Sequence, residues 1–237
     1  MKLGIIQTRG LGDIIIAAPI AQYYTDLGFT VYWPVDNRFL NSVQSAFPNI
    51  NFLAVDTEVL GSSNYDYFYG EPMRLLYELG CDPIFSLYSY LSGLPVVNEK
   101  LANSLKFDEY KYAVAQVPFD RKWTLNIKRD RARETALKEK LDIHQPYVLL
   151  HEEGSNIKLS IELPPDVSDR LKVVRMSELT DNPFDWLSVI EEANMFLCLD
   201  SCFANLAEQM NLCANKYLIL RSDIRATPVF KNGWKYQ

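Results

Sequence analysis

A carboxylate set just past a glycine-rich turn can do chemistry, and this sequence opens with one. Residues Arg9-Gly10-Leu11-Gly12-Asp13 follow an apolar run over residues 3–7. Glycine lets a chain turn tightly and lets its backbone approach a ligand closely. A helix starting here has N–H groups without internal partners and a partial positive charge. The turn suits a small anion, with Arg9, Gly10 and Gly12 at hand to receive it. Asp13 at its edge suits a general base that takes a proton from a hydroxyl. The plainer alternative is that Asp13 only complements the helix start. Two phosphate motifs are excluded. The dinucleotide fingerprint needs a third glycine where Ile15 stands, and no Gly-Lys-Ser/Thr follows for a P-loop.

The second half of the chain offers donors for negative charge. Asp200 and Ser201 follow the apolar run 195–199. Serine is a favoured helix cap and a hydroxyl donor, and a helix start attracts anions. A plain cap is the alternative. The loop from His151 to Lys158 lies past another apolar run. In it Gly154 and Ser155 would let backbone approach a ligand, and Lys158 would reach a phosphate. An ordinary surface loop is the alternative, and His151 fits a structural hydrogen-bonding role better than a catalytic one. The pair Glu191-Glu192 is either a solvated face or, through Glu191, a partner for a ribose hydroxyl.

These residues need a scaffold, and the patterning describes one. Strands are expected at 3–7, 29–33 and 50–55. Helices fill the gaps, one ending at Leu27 before Gly28 and one over residues 37–47 before Pro48. This β-α-β-α-β order predicts a parallel sheet with helices on both faces. Residues 60–72 read as loop, two helices fit between Met73 and Tyr90, and residues 110–116 read as a strand closing the first sheet. A charged helix over 128–141 would turn Lys128, Arg129, Arg131 and Arg133 to solvent. A second pattern follows, with strands at 147–150, 172–176, 195–199 and 216–220. Its helices cover 184–193, capped by Asp181 or Asn182, and the stretch from Ser201 to Met210. The pattern occurs twice with a break inside 117–145, which predicts two Rossmann-like domains, residues 1–122 and 123–237. Ligands of open α/β sheets bind at the carboxyl ends of strands, where all three candidate loops fall.

Composition narrows the partners. The chain has 237 residues, 48% hydrophobic and 23% charged, which is ordinary for a globular protein. Its net charge of −6 and its lack of a basic block argue against nucleic acid as a partner. Arg9 and Asp13 interrupt what would be the core of a signal peptide, and no apolar run is long enough to span a bilayer. A soluble, cytoplasmic protein is expected. The four cysteines, at 81, 198, 202 and 213, form no CxxC, and with two histidines they predict no zinc site. Buried free thiols are expected instead.

The combination of turns resembles the heptosyltransferase-like glycosyltransferases of family 9, which have the GT-B fold of two facing Rossmann-like domains. Arg9, Gly10, Gly12, Asp13 and Pro19 match the family's Arg-Gly-x-Gly-Asp turn and its apolar helix with a proline. Asp200-Ser201-Cys202-Phe203-Ala204-Asn205-Leu206-Ala207 is similar to the family's Asp-Ser-Gly-x-x-His-Leu-Ala motif, with Cys202 in place of Gly and Asn205 in place of His. Gly154, Ser155 and Lys158 resemble its glycine-containing loop more loosely, without the Trp that follows the Lys. The chain is shorter than usual members, and the likeness leaves residues 60–145 unaccounted for.

The resemblance implies an inverting, metal-independent transfer of a sugar from a nucleoside-diphosphate sugar to a hydroxyl of a glycan, lipid or small molecule. Asp13 is then the base. Ser201, Asn205, Lys158 and the helix start after Asp200 meet the charge of the leaving diphosphate. No cofactor or metal is implied beyond the sugar nucleotide. The first domain would hold the acceptor, with the tyrosine-rich stretch 65–90 contributing. Asparagine donates a hydrogen bond but carries no transferable proton. The changes at Cys202 and Asn205 therefore keep a second reading open, a non-catalytic nucleotide or nucleotide-sugar binding protein. A nucleotide-sugar epimerase of the same fold is a third.

Overall fold

The computed structural model describes residues 1–56, 65–91, 97–154, 157–221 and 224–236. The chain divides into two compact units, Met1–Lys128 and Arg129–Gln237. The division falls after residue 128 rather than 122. Residues 119–128 stay with the first unit because they pack on it: the Asn126 N–H donates to Gln22, and the Lys128 N–H to the Ala46 carbonyl.

The first unit is built on strands β1 (Lys2–Ile6), β2 (Thr30–Asp36), β3 (Asn51–Val55) and β4 (Ile84–Ser86). All run parallel in the order β3-β2-β1-β4. Its helices are α1 (Leu11–Asp26), α2 (Asn37–Ala46), α3 (Glu71–Glu78), α4 (Glu99–Ser104) and α5 (Phe107–Val114). A parallel sheet covered on both faces reads as continuous apolar sequence, and Leu3, Ile5 and Ile6 of β1 are fully buried. Helix α1 buries every residue from Ile14 to Ala21, so it is apolar all round and enclosed. Pro19 cannot donate within it, and the hydroxyl of Tyr112 on α5 bonds the Ile16 carbonyl at 2.8 Å. Helix α5 thus braces α1.

The second unit contains α6 (Arg131–Lys140), β5 (Tyr147–His151), α7 (Pro165–Ser168), β6 (Lys172–Arg175), α8 (Leu187–Glu191), β7 (Met195–Leu199), α9 (Cys202–Gln209), β8 (Lys216–Ile219) and β9 (Trp234–Tyr236). Its parallel sheet has the order β6-β5-β7-β8-β9. The buried Glu208 of α9 holds the last strand in place. It accepts from the N–H groups of Lys231 and Asn232 and from the Trp234 indole at 2.8 Å.

Both sheets reverse direction once. In the first, the chain moves outward from β1 to β3 and returns to lay β4 on the other side of β1. In the second, it leaves β5 for β6 and returns with β7. The carboxyl ends of β1 and β4, and of β5 and β7, are therefore the switch points where open α/β sheets bind ligands.

Three expectations are corrected. Residues 110–116 do not form a strand but lie mostly in α5. Tyr110, Lys111 and Tyr112 are consecutively buried, and Asp108 and Glu109 complement a helix start, with the Glu109 carboxylate accepting from the Lys106 N–H. Between Met73 and Tyr90 the structure has one helix, α3, and then strand β4 following Pro83. The cluster from Lys128 to Arg133 is not simply a solvated face. Arg129 is 11% exposed at its side chain and pairs with Glu134, which is 1% exposed. Strand β9 has no counterpart in the sequence reading. Within the expected loop 60–72, residues 60–64 lie outside the described residues, and a π-helical turn spans Asp66–Gly70.

Candidate active site

The turn after β1 is held from across the sheet. The Tyr88 hydroxyl, just past β4, accepts from the N–H groups of Thr8 at 2.8 Å and Arg9 at 3.2 Å. Gln7 closes the turn by donating to the Arg9 carbonyl. Gly10 then adopts φ 81° as the residue that enters α1, a conformation side chains resist. Gly12 is the second residue of the helix and Asp13 the third. A Cβ on Gly10 would stand 2.8 Å from Asp13 Oδ2, so only a glycine lets that oxygen pack against the turn. Arg9 is exposed, with its guanidinium over the Phe68 ring.

Asp13 has a charged partner absent from the sequence reading. Lys111 Nζ lies 2.9 Å from Asp13 Oδ1 and donates to Gln7 Oε1 at 2.6 Å. Lys111 is fully buried, whereas the Asp13 side chain is 24% exposed. The signal in the sequence was a lysine between two tyrosines, but a strand reading there gives it no direction.

A second carboxylate nearby shows what a purely structural one looks like. Asp36, 1% exposed, caps α2 through the Arg38 N–H, pairs with the Arg38 guanidinium and accepts from the Tyr67 hydroxyl. Burial raises its pKa, but the hydrogen bonds from Arg38 and Tyr67 outweigh that and hold it below the ordinary carboxylate value. Both Asp36 oxygens are engaged by donors, while Asp13 Oδ2 rests against Gly10. Of the tyrosine-rich stretch, Tyr67 and Tyr88 are thus buried supports, while Tyr65, Tyr77 and Tyr90 are exposed.

At the second switch point, β5 and β7 bring His151 opposite Cys198. Ser201 precedes α9 but makes no capping bond. Its hydroxyl lies 3.2 Å from His151 Nδ1, and Cys198 Sγ lies 3.6 Å from the same nitrogen. Burial pushes the His151 imidazole down to about 4, so the ring is neutral near pH 7. Asn205 is buried and donates to the Ser201 carbonyl, while its Oδ1 has no hydrogen-bond partner among the described residues. Burial raises the Cys202 thiol to about 12, which keeps it protonated.

The remaining candidates are placed unequally. Lys158 is 76% exposed and paired with Glu153, across an isolated bridge that closes its loop. Ser155 lies outside the described residues. Gly154 carries the side chain of Arg221 against it, since a Cβ there would meet Arg221 Cδ at 3.4 Å. Arg221 also stands 3.9 Å from the buried Asp200. The cation brought to this loop from β8's end is therefore Arg221, which the sequence reading did not single out. Glu191 faces neither cluster and pairs with Arg129 at 2.8 Å.

A cavity of about 360 Å³ opens elsewhere, along the later turns of α1, and is lined by Gln22, Tyr23, Asp26, Arg121 and Lys128 among others. It does not include Asp13. Among the described residues no group of His, Cys, Asp and Glu is arranged to hold a metal ion, and no helix is long and apolar enough to cross a membrane.

At the level of sequence, no family model and no curated protein matches the chain. Solved structures do. The chain in full is similar to the glycosyl transferase family 9 structure from Veillonella parvula, at TM-score 0.63 and 13% identity over 86% of that chain. It is similar to E. coli ADP-heptose LPS heptosyltransferase II, at TM-score 0.60 and 10% identity over 90% of that chain. It is also similar to E. coli heptosyltransferase WaaC with ADP-2-deoxy-2-fluoro heptose, at TM-score 0.55 and 11% identity over 93% of that chain. These likenesses establish the fold, that of the GT-B glycosyltransferases, with two parallel sheets flanked by helices.

Proposed function

We propose that the chain is an inverting, metal-independent glycosyltransferase that uses a nucleoside-diphosphate sugar. The observation that carries this reading is Asp13 at the first switch point, partly exposed, with Oδ1 paired to Lys111 and Oδ2 against Gly10. An acceptor hydroxyl gives its proton to Oδ2 while its oxygen attacks the anomeric carbon. The bond from that carbon to the diphosphate oxygen breaks, and the nucleoside diphosphate leaves with the electron pair. Arg221, with Ser201, Asn205 and the backbone around Gly154, is the group we assign to the developing charge, a role in which aimed donors lower barriers by a few kcal/mol. Gly12, Lys158 and Asp200 stay at the margins of this assignment, and Ser155 is carried as a proposed donor from the sequence alone. Glu191 is not given a ligand role, because it is committed to Arg129.

The solved neighbours include enzymes with ADP-heptose and a fluorinated analogue, so an ADP-sugar is the first donor to try. The acceptor is a hydroxyl compound, and a cytoplasmic location is part of the proposal. A thermal-shift panel of ADP, UDP, GDP, CMP, TDP and NAD tests the site. A ligand at ~100 times its Kd adds about 2.7 kcal/mol, or roughly 5–10 °C for a chain this size. A response to one diphosphate supports the reading; a response to NAD alone overturns it.

The second reading, a binder without turnover, is favoured by the engagement of Ser201 with His151 and of Lys158 with Glu153. A sugar nucleotide that stabilises the chain but is neither hydrolysed nor transferred over a broad acceptor panel would select it.

A further inference from the structure

We propose that Lys111 is a positioning residue for the Asp13 carboxylate, holding Oδ1 so that Oδ2 stays turned toward Gly10. This rests on the reading of Asp13 as the base. Lys111 donates to Gln7 Oε1 at 2.6 Å and the Leu87 carbonyl at 3.3 Å, and forms an ion pair with Asp13 Oδ1 at 2.9 Å. These partners come from the turn after β1, from the chain past β4 and from α1, so the charge is fixed from three directions.

Burying an ammonium is costly, and a methionine would fill similar volume without that cost. The same unit shows a closed version of such a pair. Lys122 and Asp108 meet at 2.7 Å with both side chains fully buried. Asp13 differs because its side chain is 24% exposed although Oδ1 is buried, so its exposure lies away from Lys111. A pair sealed at one end and open at the other fixes an orientation while leaving an atom available. That is what a base needs, since reacting groups misplaced by about 1 Å lose on the order of a hundred-fold in rate.

The test is Lys111→Met, read by its crystal structure and by ADP release from ADP-heptose. The expected structure has Asp13 Oδ2 rotated away from Gly10. The expected kinetics are a kcat lower by roughly a hundred-fold with KM for ADP-heptose within about twofold. In an Asp13→Asn background, adding Lys111→Met costs nothing further in kcat, because the two act as one unit. If Lys111→Met does not fold, Lys111→Gln, which keeps a donor but no charge, is read in the same way. An unmoved Asp13 in the variant's structure, or an unchanged kcat where Asp13→Asn is inactive, overturns the proposal. If Asp13→Asn releases ADP at the wild-type rate, or the wild type releases none, the base reading falls, while the variant's structure still decides the positioning.

Discussion

At the switch point of the first sheet, Asp13 pairs one oxygen with Lys111 and rests the other against Gly10, with its side chain 24% exposed. At the switch point of the second, the side chains answer one another. Ser201 lies against His151, Asn205 donates to the Ser201 backbone, and Lys158 is held by Glu153. The first site is preorganised and open, whereas in the second, among the described residues, Asn205 Oδ1 lacks a partner and Arg221 itself stands 3.9 Å from Asp200. Equivalent places in two sheets of the same type thus carry different degrees of readiness. The sheet supplies the location, and the neighbouring side chains decide whether a group is free to act.

The comparison breaks most directly at Asp13. Asp13→Asn is expected to lower transfer by about 10²–10⁴-fold, the span of general-base contributions, and to leave nucleotide-induced thermal shifts intact. Equal turnover by the variant would remove the first site's claim. In the second half, the largest effect is on stability. His151 is protonated near 6.5 when unfolded but only at about 4 when folded, so between those values the unfolded state binds more protons. Stability is present above pH 6.5 and falls toward pH 4, by up to about 3 kcal/mol. Melting curves from pH 7 to 4.5 check this, and His151→Gln should show a flatter decline than the wild type over that range.

Gly10→Ala sharpens the contrast within the first site. The new Cβ meets Asp13 Oδ2 on a backbone at φ 81°, so turnover should drop by roughly a hundred-fold while donor affinity holds. The smallest pair of effects separates the two cations of the second half. Arg221→Ala should weaken nucleoside-diphosphate affinity by about tenfold, a typical loss for one charge-assisted hydrogen bond. Lys158→Ala should change it by about twofold or less, because an exposed ion pair contributes little. Calorimetric titration of both variants would decide, and the reverse ranking would return the role to Lys158.

Much of the scaffold was legible because it depends on runs of apolar residues. Strands β1, β2, β3, β5 and β7 and helices α1 and α9 follow from unbroken or periodic hydrophobic sequence. The two switch points followed as well, since the turns at Gly10 and Ser201 lie directly after such strands. Lys111 was hidden because its role depends on a contact with Asp13, 98 positions earlier in the sequence. Arg221 was hidden for the same reason, as it reaches Gly154 across the sheet. Strand β9 is three residues long and is held by pairing with β8 and by Glu208, so no periodicity could announce it. Where a side chain's partner is distant in sequence, local pattern carries no trace of it.

The bond set of Glu208 bears on how the molecule is made. The helix that carries it is synthesised before residues 231–234, which supply its donors. A carboxylate is not buried without partners except at high cost. Closure of the second unit around Glu208 therefore waits for residues 231–234, while the sheet of the first unit is complete in sequence by Ser86. A chain stalled near residue 225 would present a finished first half and an unclosed second, the form that proteases and chaperones meet first.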